Sequence, residues 1–174
     1  AWTPPATASL VTGLYPERHG VVHGFEIDAD VMEQIDQGLV ARVPVVPLPS
    51  QYPTLAERFR EAGYATFGVA TNVHINEYVG YGRGFDQFEL QRDADAGQAA
   101  ELLAGFLAEA ADDRPRFVSL HLNDVHRPYH KRAPWYAPRS GRLGNLVAAY
   151  DSEISFVDSQ LRAMHDRFGW AENT

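Results

Sequence analysis

The stretch AWTPPATASLVTGLYPERHG, residues 1–20, is the part of the chain that most strongly indicates its fold. Its segment 6–13 is small, apolar and rich in hydroxyl groups, follows Pro4 and Pro5, and ends in a Thr-Gly pair, which predicts a short helix. Thr3 is then expected in the turn at the helix N-terminus. Because free N–H groups and the positive end of the helix dipole gather there, that turn suits an anionic oxygen ligand. The simpler interpretation is that Thr3 caps a surface helix.

The whole stretch resembles the signature of the sulfatase family. It reads T-x-P-x-T-A-S-L-x-T-G-L-Y-P-x-R-H-G, where the family has C-x-P-S-R-A-S-L-x-T-G-x-x-P-x-x-H-G. The ungapped register places Thr3 at the nucleophile position, where the family usually has a cysteine that is oxidised to formylglycine. Oxidation of a threonine would give a ketone and not an aldehyde. The chain therefore resembles a threonine-nucleophile branch of the alkaline-phosphatase-like superfamily.

Composition limits the classes of protein to consider. The 174 residues, 45% of them hydrophobic, suit one packed domain. The absence of cysteine excludes disulfides and thiolate metal sites. A net charge of −8 disfavours a nucleic-acid partner, although one divalent cation could reverse the field locally for an anionic ester. No apolar run reaches the roughly 18 residues of a membrane span, and the sequence leaves the compartment open, with the cytoplasm slightly favoured.

Helices and strands alternate along the chain, which predicts a three-layer α/β/α sandwich with a mainly parallel or mixed sheet. Apolar runs at 65–70 and 117–122 predict two parallel strands that are neighbours or near neighbours. Thr54 and Glu57 form a capping box at the start of a helix over 54–62. A second helix is expected over 94–111.

A long helix is predicted over 143–168, packed on the sheet like the helix over 54–62. Its expected buried side carries Leu146, Val147, Tyr150, Ile154, Val157, Leu161 and Met164. Residues 21–53 are interpreted mainly as loop, and residues 130–142 as a basic, proline-rich loop. The string Arg83-Gly84-Phe85-Asp86 resembles the RGFD found in many sulfatases, and we interpret it as a turn with a buried phenylalanine.

Polar residues follow both predicted strands, where open α/β sheets bind ligands. The string from His121 to Tyr129 resembles the family motif H-x-x-D-P-H-x-P-Y, and the resemblance implies that His126 contacts the scissile ester. Thr71 and Asn72 follow the other strand and are candidate substrate-binding residues. The family's G-K-x-H is not matched there, because the lysine is absent and His74 is displaced by one position. His19 is interpreted as a structural hydrogen bonder.

The resemblance also implies one divalent cation (Ca, Mg or Mn). In the family its acidic ligands lie on a strand before the nucleophile and on a strand after the long helix, so Thr3 would be the metal ligand from this chain and the others would lie outside it. Residues 1–174 are thus expected to be one partial sulfatase-type catalytic domain, alkaline-phosphatase-like, truncated at both ends and inactive alone. Asp28, Asp30 and Asp36 show no ligand spacing that would replace the missing set.

These observations predict a metal-dependent hydrolase of small-molecule anionic esters. Bound to the metal, Thr3 would lose its proton and attack sulfur or phosphorus, and His126 would bind the ester oxygens or protonate the leaving group. One alternative is a phosphodiesterase or phosphoethanolamine transferase on the same fold, and another is a non-catalytic binding module. Thr7, at the position of the family's arginine, favours the alternatives.

Overall fold

The computed structural model describes residues 2–22, 46–110 and 113–173. Their helices are α1 (Thr3–Thr12), α2 (Pro16–His19), α3 (Leu55–Glu61), α4 (Ala96–Glu109), α5 (Gly141–Arg167) and α6 (Trp170–Asn173), with a short 3₁₀ helix at Glu77–Val79. The strands are β1 (Ala65–Ala70), β2 (Gln87–Leu90) and β3 (Arg116–His121). Asp28, Asp30 and Asp36, whose spacing does not suit a metal site, lie outside the described residues.

The three strands form one parallel sheet in the order β2-β1-β3. All six residues of β1 are buried, because a neighbour lies on each side and helices cover both faces. A parallel strand that is buried on both faces has a continuous apolar sequence, without alternation of apolar and polar residues. The prediction that the segments near 65–70 and 117–122 are parallel neighbours is confirmed, with β3 shifted by one residue.

Two layers of helices cover this sheet. On one face, Ala99 and Leu103 of α4 pack against Phe67 and Val69 of β1. On the other face, Phe59 of α3 stacks on Phe117 of β3 with ring centroids 4.2 Å apart. Since side chains alternate along a strand, Phe117 points away from the face that α4 covers. The α/β/α layering predicted from the sequence is confirmed.

The start of α3 is fixed by the predicted capping box and by the RGFD turn. Thr54 Oγ1 accepts a hydrogen bond from the Glu57 N–H (3.1 Å) and donates one to the Arg83 carbonyl (2.9 Å). Gly84 has φ +87°, and a Cβ there would overlap the backbone nitrogen of Glu57. Only glycine therefore allows this close approach of turn and helix. The turn predicted for the RGFD string is confirmed, whereas its phenylalanine, Phe85, is half-buried and not buried as predicted.

The predicted buried side of the long helix is wrong for most of its residues. Leu146, Val147, Tyr150, Ile154 and Leu161 are exposed and Val157 is half-buried, whereas Met164 is buried as predicted. The buried positions are instead Ala148, Ala149, Ser152 and Glu153. Two causes account for the difference: α5 packs chiefly on α4 and not on the sheet, and the polar groups of Ser152 and Glu153 bind the loop before the helix.

Among the described helices, none combines the length and apolar character needed to cross a membrane. The longest, α5, carries charged residues at both ends and throughout its second half.

Candidate active site

The carboxyl ends of the three parallel strands meet at one edge of the sheet, and a cleft of about 470 Å³ lies there. All four predicted site residues line it: Thr3 from the start of α1, Thr71 and Asn72 after β1, and His126 after β3. The full lining is Trp2, Thr3, Thr71, Asn72, Val73, His74, Arg92, Asp93, Asn123 and His126. The fold thus brings together residues that are distant in the sequence, at the edge where open α/β sheets bind their ligands.

The helix α1 begins earlier than the sequence predicted. Thr3 was expected to precede the helix, but it is the first helical residue. It is partly exposed, and its hydroxyl forms no hydrogen bond with any described residue. The first turn offers fewer N–H donors than the sequence suggested, because Pro4 and Pro5 have none and the N–H of Ala6 is bound to the Trp2 carbonyl (3.2 Å). The hydroxyl of Thr3 is therefore the main polar group that this helix end presents to the cleft.

The first turn of α1 is anchored to the core behind the cleft. The hydroxyl of Tyr81 donates a hydrogen bond of 2.9 Å to the carbonyl of Pro4. Burial raises the pKa of Tyr81 to about 12, so this donor keeps its proton over the physiological range. The position of Thr3 is consequently fixed by a buried contact from another part of the chain.

The ring of His126 is exposed and lines the same cleft as Thr3. Its Nδ1 lies 2.7 Å from the carbonyl oxygen of Arg127. Because a carbonyl only accepts, Nδ1 must carry the proton of this hydrogen bond. Nε2 then remains for a ligand, as an acceptor when the ring is neutral and as a donor when it is protonated.

Thr71 and Asn72 are buried at the bottom of the cleft. The Thr71 hydroxyl accepts from the Asn123 N–H (2.8 Å) and approaches the His121 carbonyl at 3.4 Å. The Asn72 amide donates to Asn123 Oδ1 (2.9 Å) and accepts from the His74 N–H (2.9 Å). These bonds join the ends of β1 and β3, so both residues build the floor of the cleft, and substrate contact by them stays a prediction.

Three charged or titratable residues of the cleft were not predicted as site residues. Arg92 and Asp93 lie two and three residues after the end of β2. Their position beyond the end of a third parallel strand was the signal that could have indicated them. Asp93 has φ +61° and is the only non-glycine residue with positive φ in the described ranges. Burial lowers the pKa of His74, and the nearby His126 lowers it further, so the His74 ring is neutral at pH 7.

A partly buried ionic cluster holds the loop that carries His126. The guanidinium of Arg132 donates to Glu153 (2.8 Å), Asp95 (3.0 Å) and Asp124 (3.4 Å). Glu153 also accepts from the backbone N–H of His130 at 2.7 Å. The cluster therefore ties the loop to α5 through Glu153 and to the N-terminus of α4 through Asp95.

Asp124 belongs to this cluster. In the described part of the chain it forms no hydrogen bond with the ring of His126. Its Oδ1 accepts from the Ala96 N–H at 3.1 Å, so it caps α4. Burial raises the pKa of Asp124, and the bond from Ala96 and the charge of Arg132 offset this only in part. Burial alone would lower the pKa of Arg132, but its bonds to Glu153 and Asp95 raise it.

Replacing Arg132 by glutamine should lower the free energy of unfolding of the intact protein by about 3–5 kcal/mol, because it leaves the fully buried Glu153 carboxylate without its cation. The matched control is Arg139→Gln, since Arg139 pairs with Asp151 at 2.8 Å but both are about half exposed. That change should cost no more than about 1 kcal/mol. Urea unfolding of both variants checks the difference, and equal losses would contradict a stabilising role for the cluster.

His19 lies outside the cleft and has a structural role, as predicted. It is 1% exposed. Its Nδ1 accepts from the Val21 N–H (3.1 Å), so the neutral ring carries its proton on Nε2, which donates to Ser9 Oγ (3.0 Å). The ring thus links α1 to the turn after α2.

His19 should make stability depend on pH. Burial lowers its pKa below the ordinary value of 6.5, against a smaller opposite effect of Glu17. Since the unfolded chain binds the proton more readily, the stabilisation is complete above about pH 6.5 and is lost as the pH falls through the folded-state pKa. Urea unfolding of the intact protein from pH 8 to pH 5 should show this loss. His19→Gln should reduce it, whereas His165→Gln, at an exposed site on α5, should leave it unchanged; equal slopes for the two variants would be the contrary result.

The described residues do not form a metal site by themselves. No group of three or more histidine or acidic side chains in the described ranges is placed to hold an ion. Thr3 would supply one oxygen, and the acidic members of the cleft and of the Arg132 cluster are not gathered around it. A divalent cation with further ligands outside this chain stays a prediction, and the chemistry below is derived from the side chains of the cleft.

Several solved structures share this fold. A protein solved in a study of glycosaminoglycan metabolism by Bacteroides thetaiotaomicron aligns with 99% of this chain and 47% of its own, at 17% identity and a TM-score of 0.65. The lipoteichoic acid synthase LtaP from Listeria monocytogenes aligns with 94% of this chain and 40% of its own, at 14% identity and a TM-score of 0.52. The C-terminal periplasmic domain of EcEptC from Escherichia coli aligns with 69% of this chain and 39% of its own, at 18% identity and a TM-score of 0.50. At these identities the likeness shows the fold alone, and this chain spans less than half of each of these proteins.

No curated protein sequence matches this chain. The sulfatase family model matches residues 1–174. The match covers the N-terminal stretch, the parallel sheet and the cleft at its edge, and it agrees with the resemblance seen in the sequence. The chain therefore belongs to the sulfatase family.

Proposed function

We propose that the intact protein cleaves a sulfuric or phosphoric ester with Thr3 as the nucleophile. The observation that carries the proposal is the position of Thr3 and His126 in one cleft, with the Thr3 hydroxyl free of hydrogen bonds to described residues. The hydroxyls of Thr54 and Thr71 are buried and bound to protein partners, whereas the hydroxyl of Thr3 is partly exposed to the cleft and is left for a ligand. An unengaged hydroxyl in the same cleft as an exposed imidazole suits nucleophilic attack assisted by an acid.

The proposed reaction uses the cleft residues as follows. Thr3 Oγ attacks sulfur or phosphorus, a new Oγ–S or Oγ–P bond forms, and the bond to the leaving oxygen breaks in line with it. His126 gives the proton on Nε2 to the leaving oxygen. The neutral His74 ring accepts the proton that Thr3 loses. Water then hydrolyses the threonyl ester and regenerates the hydroxyl.

Arg92 supplies a cation to this cleft. Its guanidinium has the geometry to bind two oxygens of a sulfate or phosphate group. The sulfate-binding lysine of many relatives is missing from the position after β1, and Arg92 enters the same cleft from the end of β2. We propose that Arg92 binds the non-bridging oxygens of the substrate, with Thr71 and Asn72 shaping the floor beneath them.

Transfer to an acceptor is the second candidate function. In that case an alcohol, and not water, would attack the threonyl ester, as in a phosphoethanolamine-type transferase. The threonine at the nucleophile position favours this candidate over a formylglycine sulfatase, because Thr3 forms a simple ester that an acceptor can take over. The cleft itself is the same in both cases.

A substrate panel on the full-length protein tests these proposals. Sulfate monoesters, phosphate monoesters, phosphodiesters and phosphonates would be offered with Ca²⁺, Mg²⁺ or Mn²⁺, with and without an acceptor alcohol. We expect turnover of at least one class and a covalent mass increase on Thr3 when the reaction is quenched. Binding of sulfate or phosphate without turnover of any ester would identify a binding module instead.

A further inference from the structure

The loop and helix start after His126 form a basic segment in an acidic chain. Residues 125–150 contain five lysines and arginines and no aspartate or glutamate, whereas the whole chain has a net charge of −8. Arg132 and Arg139 each form an ion pair with a carboxylate of α5, namely Glu153 and Asp151. Arg127, Lys131 and Arg142 form no ion pair with any residue in the described ranges. Their contacts to other side chains include aromatic rings: Arg127 lies over Tyr129 and Lys131 over Tyr136.

These three cations surround a groove of about 790 Å³, which we call the basic groove. Its walls include Tyr129 and the exposed side chains of Leu143 and Leu146, so the lining combines positive charge with apolar surface. Three like charges around a concavity create a positive potential that attracts an anion. The apolar walls suit the carbon skeleton to which such an anion is attached.

The basic groove and the cleft that holds Thr3 are linked by residues that line a hollow between them. Arg127 and Pro128 line both the groove and a small hollow of about 150 Å³ beside it. His126 and Asn123 line both this hollow and the cleft. His126 and Lys131 are five positions apart in the sequence, so their Cα atoms are at most about 18 Å apart. One substrate molecule of moderate length can therefore reach both places.

We infer that the basic groove binds a second anionic group of the substrate, so that the preferred substrate is a soluble molecule with at least two anionic groups. The inference rests on the proposed function for the reacting end of that molecule. The groove is concave and the chain as a whole is strongly acidic, which favours a single polyanionic molecule over an anionic membrane surface. The leaving group, and not the cleaved group, would occupy the groove, because His126 lies on the path between the two.

Binding measured without turnover tests the inference first. Sucrose octasulfate would be titrated into the full-length protein by calorimetry, and into the double variant Lys131→Gln/Arg142→Gln. We expect the double variant to bind about 10-fold more weakly, because two exposed ion pairs between the protein and the sulfate groups of the ligand are lost. The difference should shrink at 0.5 M NaCl, where such pairs are screened. The control is Arg60→Gln/Arg162→Gln, which removes two exposed arginines outside the groove. Equal affinity of the two double variants would overturn the inference.

Two further measurements separate the possible outcomes. Vesicles of phosphatidylglycerol should show no binding that depends on Lys131 and Arg142; such binding would mean that the surface meets a membrane and would overturn the inference. With any turned-over ester, the ratio of kcat/KM for a dianionic to a monoanionic aryl ester should fall in the groove variant and not in the control. If no ester is turned over but the charge-dependent binding persists, the proposed function fails and the anion-binding groove stands.

Discussion

Replacement of Thr3 by alanine in the intact protein is expected to remove nearly all turnover and to leave the fold in place. The hydroxyl is the group that would form the covalent bond to sulfur or phosphorus, and among the described residues that line the cleft no other carries a hydroxyl without a hydrogen-bond partner. Loss of a nucleophile lowers kcat by several orders of magnitude even when binding and positioning survive. Steady-state kinetics on the best substrate of the panel would measure the loss.

The fold should tolerate this change for a local reason. Thr3 is the first residue of α1, its hydroxyl forms no hydrogen bond with the described residues, and alanine has the higher helix propensity. Thermal unfolding of the variant should therefore match that of the parent. Thr3→Ser is the matched control, since it keeps the hydroxyl and should keep part of the activity. A Thr3→Ala protein with turnover near that of the parent would rule out the threonine mechanism and leave Thr3 as part of a helix start.

Replacement of His126 by alanine is expected to lower kcat by about 10²–10⁴-fold if Nε2 protonates the leaving oxygen. The ring is exposed and its one hydrogen bond among the described residues is to the neighbouring Arg127 carbonyl, so stability should change little. The matched control is His130→Ala, because His130 is exposed in the same loop, does not line the cleft, and binds Glu153 through its backbone N–H. That control should retain the activity of the parent.

The leaving group decides between two roles of His126. A 4-nitrophenolate leaves without much help, whereas an alkoxide needs a proton in the transition state. The loss caused by His126→Ala should therefore be much larger for an alkyl ester than for a 4-nitrophenyl ester. An equal loss for both substrates would contradict the acid role and indicate that His126 binds the ester oxygens instead.

The sequence by itself determined the features that depend on neighbouring residues. The apolar run of β1 predicted a buried strand, because a strand covered by helices on both faces exposes neither face to water. The Thr54–Glu57 capping box predicted the start of α3, because both hydrogen bonds close within four residues. The resemblance of the first twenty residues and of the segment around His126 to sulfatase motifs indicated Thr3 and His126 as the candidate pair.

Only the tertiary structure decided which groups are free and which are engaged. Thr71 and Asn72 lie at the predicted edge of the sheet, but their polar atoms are bound to residues about fifty positions away. The apolar stripe of α5 predicted the wrong buried face, because Glu153 turns inward to meet Arg132, a partner that no local pattern reveals. Arg92 entered the cleft only through the position of β2 beside β1. Side-chain periodicity and caps are set by contacts a few residues apart, whereas these outcomes are set by pairings between distant segments that exist only in the folded chain.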